Sequence, residues 1–339
     1  MTDTHAPAMG PALTTLFAVG CGLIVANLYY GQPLIGLIGP ELGLPAETIS
    51  LVVTLTQIGY GLGLLLIVPL GDRLENRRLL AGILLARPVA SMTAHLFGWR
   101  AIYAASALLM VVLALVLRRA LPARHPSATM RYPQLLHSLY ELFRDTPLLR
   151  RRSAYHAAMF GAFSLFWSAI ALLLASPAFG YSQSGIAAFA LAGAAGALCA
   201  PFAGRLADRG LTRPATGAAL ALAALAFVIA AIGAATTSVS LLLIAALLLD
   251  VGVSLNLVLG QRSLYALGDA IRSRLNALYM SLFFAGGAVG SALAGWAWAR
   301  HGWNGVCVVG LAFALAALLY FATEFGSRRS AASRSGGGV

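Results

Sequence analysis

The sequence predicts an all-α integral membrane protein, a two-half bundle of about ten transmembrane helices arranged four plus six. Three observations predict it. The 339 residues are 60% hydrophobic and 10% charged, with a mean hydropathy of +0.83, whereas a soluble domain carries roughly 25% charged residues. The apolar residues fall in continuous runs of about 20, the length a helix needs to cross a bilayer, and not in the alternation of a barrel strand. A charged stretch between two such runs, "VPLGDRLENRRLL" at 68–80, returns as "AGRLADRG" at 203–210. Such self-similarity marks internal repeats.

The elements follow in order. Residues 13–37 form the first apolar run, and the polar stretch before it has no basic region. It reads as a cytoplasmic tail and not as a cleaved signal. Runs at 48–70, 79–97 and 101–118 complete a first half, 1–118. Residues 119–153 are polar and basic. Within them "YPQLLHSLYELFRDTPLLRRR" places Leu135, Leu136, Leu139, Leu142 and Phe143 at helical spacing. That is the pattern of a basic amphipathic helix on the inner membrane surface, with a disordered linker as the alternative. The second half, 154–322, holds runs at 154–175, 184–206, 213–234, 239–259, 275–297 and 303–322, and a tail, 323–339, follows.

Charge orients the spans. The net charge is +12 and every basic residue is Arg. The loops after the second, fourth, sixth and eighth runs carry nearly all the arginines, among them Arg73, Arg77, Arg78, Arg150, Arg151, Arg152, Arg205, Arg209, Arg213, Arg262, Arg272 and Arg274. The opposite side has Arg100 and Arg300. By the positive-inside rule both termini are expected in the cytoplasm. No nucleic-acid partner is expected, because the arginines do not gather in one exposed domain. Cys21, Cys199 and Cys307 each sit in an apolar run without metal or redox spacing, so they read as small hydrophobes. The chain has no His-Glu-x-x-His, Gly-x-Ser-x-Gly or Walker motif, and its six histidines are scattered, His156 at the start of the fifth run. Neither catalysis, a cofactor nor a metal is expected. Without a Walker loop, the expected energy source is an ion gradient.

Two ionisable residues fall near the centres of spans, Arg87 in 79–97 and Asp250 in 239–259. Such residues cost roughly 2.5–3.5 kcal/mol at the bilayer centre and are functional candidates. Asp250 could handle a proton or substrate, with Arg87 as charge partner, or the two could form a structural ion pair. Asn27, Tyr29, Tyr30, Gln32 and Gln57 concentrate polar groups in the first two spans, and Asn256 adds another in the eighth. They fit a substrate-lined cavity or interhelical hydrogen bonding equally well. Gly59, Gly61 and Gly63 in the second span, and Gly286, Gly290 and Ala294 in the ninth, form small-residue faces suited to close packing.

Aligning the repeats shows a gap. Asp72 matches Asp208 at an offset of 136, whereas Gly98-Trp99 in "HLFGWRAIY" matches Gly302-Trp303 in "ARHGWNGVC" at an offset of 204. The first half therefore lacks about 68 residues, two spans at about 20 residues each with their loops. On these motifs the chain resembles the major facilitator superfamily, in particular its bacterial drug:proton antiporter-like efflux branch. The motifs are the repeated loop of Gly204, Leu206, Ala207, Asp208 and Arg209, its first copy at Leu70, Gly71, Asp72, Arg73 and Arg77 (with Val68 in place of Gly), "NLYYGQPL" at 27–34 and "LLLDVGVSLNLVLGQR" at 247–262.

The family has twelve helices, six plus six, so the resemblance implies that the third and fourth are missing here, with a junction near Leu80-Ala81. It implies alternating access between two halves in a bacterial inner membrane, with a small-molecule substrate and protons as partners. It also implies a cytoplasmic gate at Asp72, Arg73, Arg77, Gly204, Asp208 and Arg209. The family's Arg partner for the first Asp lies on the fourth helix. "AGILLARPVAS" carries Arg87 where the antiporter branch has Gly, a departure within the superfamily. The expected function is proton-coupled export of a small organic molecule. The alternative is a shortened, membrane-inserted member without transport. A monomer is expected, with a dimer that completes the cavity as the other possibility.

Overall fold

The computed structural model describes residues 39, 41–45, 47–67, scattered positions between 104 and 119, 132–190 and 200–335. The chain divides into two compact units, residues 1–30 with 69–132, and residues 31–68 with 133–339. In the first unit the described positions between 104 and 119 are helical, in line with a span at 101–118. The second unit holds nearly everything else, and no strand occurs among the described residues.

The second unit opens with α1, Leu51–Ile67, inside the expected run 48–70. Next comes α2, Tyr132–Asp145, the amphipathic helix of the linker. Thr146 then adopts an extended conformation and Pro147 starts α3, Pro147–Ala175. The residue before a proline avoids the helical region, and proline is favoured at the first helical position, so one residue ends α2 and the next begins α3. The expected run 184–206 contains α4, Gln183–Ala190, and α5, Ala200–Asp208, with residues 191–199 outside the described set. Two long apolar helices follow, α6, Thr212–Ala235, and α7, Val239–Tyr265. Ser238 caps α7 by accepting from the Leu241 N–H. A short 3-10 turn, Asp269–Ile271, leads into α8, Arg272–Ser335.

The last helix is two spans. Gly302 has φ 56° and ψ −149°, a conformation open to glycine and not to other residues. The contacts on either side of it run in opposite directions. Gly286 abuts Ala157 and Gly290 abuts Gly161, so the first arm runs parallel to α3. Tyr155 meets Tyr320 and Phe321 while Phe166 meets Trp303, so the second arm runs antiparallel to it. The Trp303 indole N–H donates to the Ala230 carbonyl at 3.0 Å and ties the turn to α6. The repeated Gly-Trp pair is thus a turn followed by an anchor.

Among the described residues, α3, α6, α7 and the pair of arms in α8 are long and apolar enough to cross a membrane. Their shared core includes Phe166, Phe227, Leu242, Leu249, Trp303 and Phe321. Lipid tails are as apolar as leucine, so helices in a bilayer associate through close packing and hydrogen bonds more than through burial of oily surface. Small residues make that packing possible: a β-carbon on Gly286 or Gly290 would overlap the α3 backbone, and one on Gly252 would come within 2.7 Å of the Ala219 carbonyl. The apolar face of α2 is covered by protein and not left to lipid. Leu139 is buried with Leu149, Leu264, Leu275 and Leu278, and Arg274 donates to the Ser138 hydroxyl at 3.1 Å.

Candidate functional site

Of the candidate residues, Asn27, Tyr30, Gln32, Asp72, Arg73, Arg77 and Arg87 lie outside the described residues. The others fall at four places in the second unit.

Asp250 lies near the middle of α7 and is 2% exposed. The Trp167 indole N–H, from the middle of α3, donates to its Oδ1 at 3.0 Å. Its Oδ2 is buried with no hydrogen-bond partner among the described residues. The carboxyl is therefore held from one side and left open on the other.

Gln57 is the polar node of α1. Its amide donates to the Ser164 hydroxyl on α3 at 2.7 Å and accepts from Ser291 on α8 at 3.3 Å. One turn further along α1, Ser281 donates to the Gly61 carbonyl at 3.0 Å, and Gly61 lets α1 approach Phe284 closely. Both readings of Gln57 had merit in the sequence. The geometry here is that of interhelical hydrogen bonding, joining three helices.

Asn256 faces a residue the sequence reading passed over. Its amide nitrogen lies 3.4 Å from Nδ1 of His156, which is wholly buried. The imidazole is one layer of a column of four rings alternating between α8 and α3. Tyr279 stacks on His156 at 4.4 Å, His156 on Phe283 at 4.2 Å, and Phe283 on Phe160 at 3.5 Å. The spacing of four residues in each helix, 156 to 160 and 279 to 283, interleaves the rings. His156 Nε2 and the Tyr279 hydroxyl are both buried without a partner among the described residues. Four residues before His156, Arg152 is buried and donates to the Thr216 hydroxyl at 2.7 Å. The Arg-x-x-x-His spacing was the available signal, since it puts both groups on one helix face inside an apolar run.

Asp208, Arg209 and Gly204 belong to the charged loop. Gly204 lies within α5, which ends at Asp208. Gly210, with φ 73°, closes the helix: its N–H bonds to the Ala207 carbonyl and the Leu211 N–H to the Leu206 carbonyl. This is the glycine-capped helix end that satisfies the last carbonyls. It presents Asp208 to Arg262, near the end of α7, in an ion pair. Arg209 is exposed, and its backbone N–H continues the helix by bonding to Arg205. A second ionic cluster joins the same ends of α3, α6 and the last arm. Glu324 accepts from Tyr155 at 2.8 Å and lies 3.3 Å from Arg213 and 3.9 Å from Arg151.

These features sit in a chain with clear relatives. The family model of the Major Facilitator Superfamily matches residues 79–235 and 157–338. The uncharacterized transporter YgaY of Escherichia coli O157:H7 is 35% identical over 388 residues, covering 95% of this chain and 98% of that one. The "Probable transporter SCO4007" of Streptomyces coelicolor is 29% identical over 364 residues, covering 87% of this chain and 83% of that one. Among solved structures, the human organic anion transporter MFSD10 superposes with a TM-score of 0.63 at 16% identity, over 92% of this chain and all of the other. The nucleoside transporter NupG gives 0.52 at 14% identity, over 91% of this chain and 90% of the other. These two likenesses are of fold.

Proposed function

This chain belongs to the major facilitator superfamily, as a multi-pass membrane transporter, and we propose that it exports a small organic molecule in exchange for protons by alternating access, from a bacterial inner membrane with both termini in the cytoplasm. The observation that carries the coupling is Asp250. A carboxylate at bilayer depth costs roughly 2.5–3.5 kcal/mol or more, and such residues mark ion and proton paths. Trp167 fixes one oxygen, and the other is buried and open to a proton. The group can gain and lose charge without losing its anchor. Arg87 is the proposed charge partner from the first half, and Asn27, Tyr30 and Gln32 the proposed polar lining.

The charged loops are the proposed cytoplasmic gate. Asp208 and Arg262 are 65% and 47% exposed, and exposed pairs are worth about 0–1 kcal/mol. A contact that weak can hold one face closed and still release it. Asp72, Arg73 and Arg77 would do the same in the first half.

Alignment lengths support a shortened first half. YgaY aligns over 388 positions, but 95% of this chain is about 322 residues, leaving about 66 positions without a counterpart here. For SCO4007 the same reckoning, 364 positions against about 295 residues, leaves about 69. Both agree with the 68 residues that the internal repeat lacks. We propose that these are the family's third and fourth helices.

The test is efflux of fluorescent organic cations and small organic acids from cells expressing this chain, with and without a protonophore. Export that the protonophore abolishes is expected, and Asp250→Asn should abolish it while expression is unchanged. Unaltered export by Asp250→Asn would remove this residue from the mechanism.

A further inference from the structure

Resting on the reading of Asp250 as a proton carrier, we infer that His156 is a second proton-binding residue, between Asp250 and the cytoplasmic end of the second half, and that Asn256 is the switch that lets it change charge. The geometry assembles three features. The imidazole is fully enclosed between the Tyr279 and Phe283 rings, so its only polar outlets are its two nitrogens. Asn256 places its amide nitrogen 3.4 Å from Nδ1, and with the amide in this orientation Nδ1 is the accepting nitrogen of a neutral ring. In that orientation the ring's one proton is on Nε2, which is buried and has no acceptor among the described residues. The arrangement is satisfied on one side only.

A proton arriving at Nδ1 would meet the donor end of Asn256. The amide answers this by turning over, because its oxygen accepts as readily as its nitrogen donates. Neutral and protonated imidazole thus each find a partner in one side chain, with no helix movement required. Protonation also changes the stack. A cation between two aromatic faces is attracted by both, so the Tyr279–His156–Phe283 column tightens as the proton binds and loosens as it leaves. The column is built from α3 and the first arm of α8, and proton loss would ease the contact between those helices.

The groups around the imidazole are few. From α3 itself comes Arg152, one turn toward the cytoplasm, whose charge opposes a second positive charge nearby. From α8 comes the Tyr279 phenol, and from α7 Asn256 and, six residues away, Asp250. Six residues of helix rise about 9 Å. An ionised Asp250 at that distance favours the imidazolium, and a protonated one does not, so a proton on one site weakens its binding at the other. That is the behaviour of two stations on one path. α6 contributes the Thr216 hydroxyl to Arg152, and α1 contributes Gln57, which bonds Ser164 one turn beyond Phe160; neither titrates.

The experiment is nuclear magnetic resonance of full-length protein in lipid nanodiscs, labelled at histidine. Replacing the other five, His5, His95, His125, His137 and His301, by glutamine leaves the His156 signal alone. The expected result is a titration of His156 whose proton affinity falls about twentyfold in Asp250→Asn, the effect of removing one charge at about 9 Å, the rise from Asn256 to Asp250, in a medium of effective dielectric about 20. Asn256→Leu, which supplies no acceptor, should suppress the protonated form, and Asn256→Asp should restore it. A ring that stays neutral at every pH in both backgrounds overturns the inference, and so does a titration that Asp250→Asn leaves unmoved. The measurement needs no substrate. A coupled titration without protonophore-sensitive efflux would therefore sink the export reading and leave this one standing; the reverse outcome would do the opposite.

Discussion

At the scale of single residues, the second half concentrates polar groups where a bilayer makes them costly, and Asp250, Asn256 and Arg152 are each held by a specific neighbour. Asp250 and Trp167 are the sharpest case, because the indole is the sole partner, among the described residues, of a buried carboxyl that has another oxygen to spare. Trp167→Phe removes the donor and keeps the ring. Breaking a hydrogen bond to a buried charged group typically costs about 1.5–3 kcal/mol, so the melting temperature of the purified protein should fall. In an Asp250→Asn background the same change should cost much less, since a neutral amide has less to lose. Equal losses in both backgrounds would show that the pair is not coupled. Asp250 was legible in the sequence as a lone carboxylate in an apolar run. Trp167 was not, because 83 residues separate the two and nothing local marks the indole as a donor. His156 escaped for another reason. At the start of an apolar run it reads as a residue near the surface, and only the continuation of α3 back to Pro147 puts it two turns inside a helix.

At the scale of elements, the long apolar runs among the described residues declared their helices (those at 13–37 and 79–97 lie outside them), and what they could not declare was how neighbouring elements share residues. The linker is the clearest example. Its periodic leucines predicted an amphipathic helix, and α2 is that helix, but the face expected to meet lipid meets Leu264, Leu275 and Leu278 instead. Periodicity shows which face is apolar and not what covers it. Glycine packing allows a discriminating test. Gly286→Ala and Gly290→Ala each drive a methyl group into the α3 backbone, where no side chain can yield. Overpacking of this kind costs about 1–3 kcal/mol. Gly59→Ala, on α1, meets open space and replaces the poorer helix former. The first two variants should lower the melting temperature, and the third should leave it equal or raised. A loss in Gly59→Ala as large as in the other two would mean that α1 is packed on that face as well.

At the scale of the whole molecule, the two charged loops record a duplication that has since diverged. The second copy has everything a closed loop requires, with Gly210 to end the helix and Arg262 to receive Asp208. The first copy has Leu74 where Gly210 stands and Val68 where Gly204 stands. If Asp208 latches the cytoplasmic face, Asp208→Ala should raise the labelling of single cysteines placed at the cytoplasmic ends of the spans, and Arg262→Ala should do so equally. Reversing both charges, Asp208→Arg with Arg262→Asp, should bring labelling back toward the original level. A pattern unmoved by any of the three would make the loop a plain turn.

The proposed gap in the first half sets the larger question of how a cavity would be closed with fewer helices. On that proposal insertion would not be at risk, because removing two spans together would leave every later span with its original direction, and the sequence keeps the arginine asymmetry that would orient them. Transport is a stricter demand, since alternating access needs two halves that rock about a shared site. Restoring a 68-residue helix pair after Leu80, taken from YgaY, puts that demand to the test beside the natural chain. If the ten-helix arrangement has a working cavity of its own, protonophore-sensitive efflux should be present in the natural chain, and the added pair should not raise it. Efflux confined to the restored chain would mean that the missing wall is indispensable. Asp250 and His156 would then keep their proton chemistry in a half that no longer has a partner to move against.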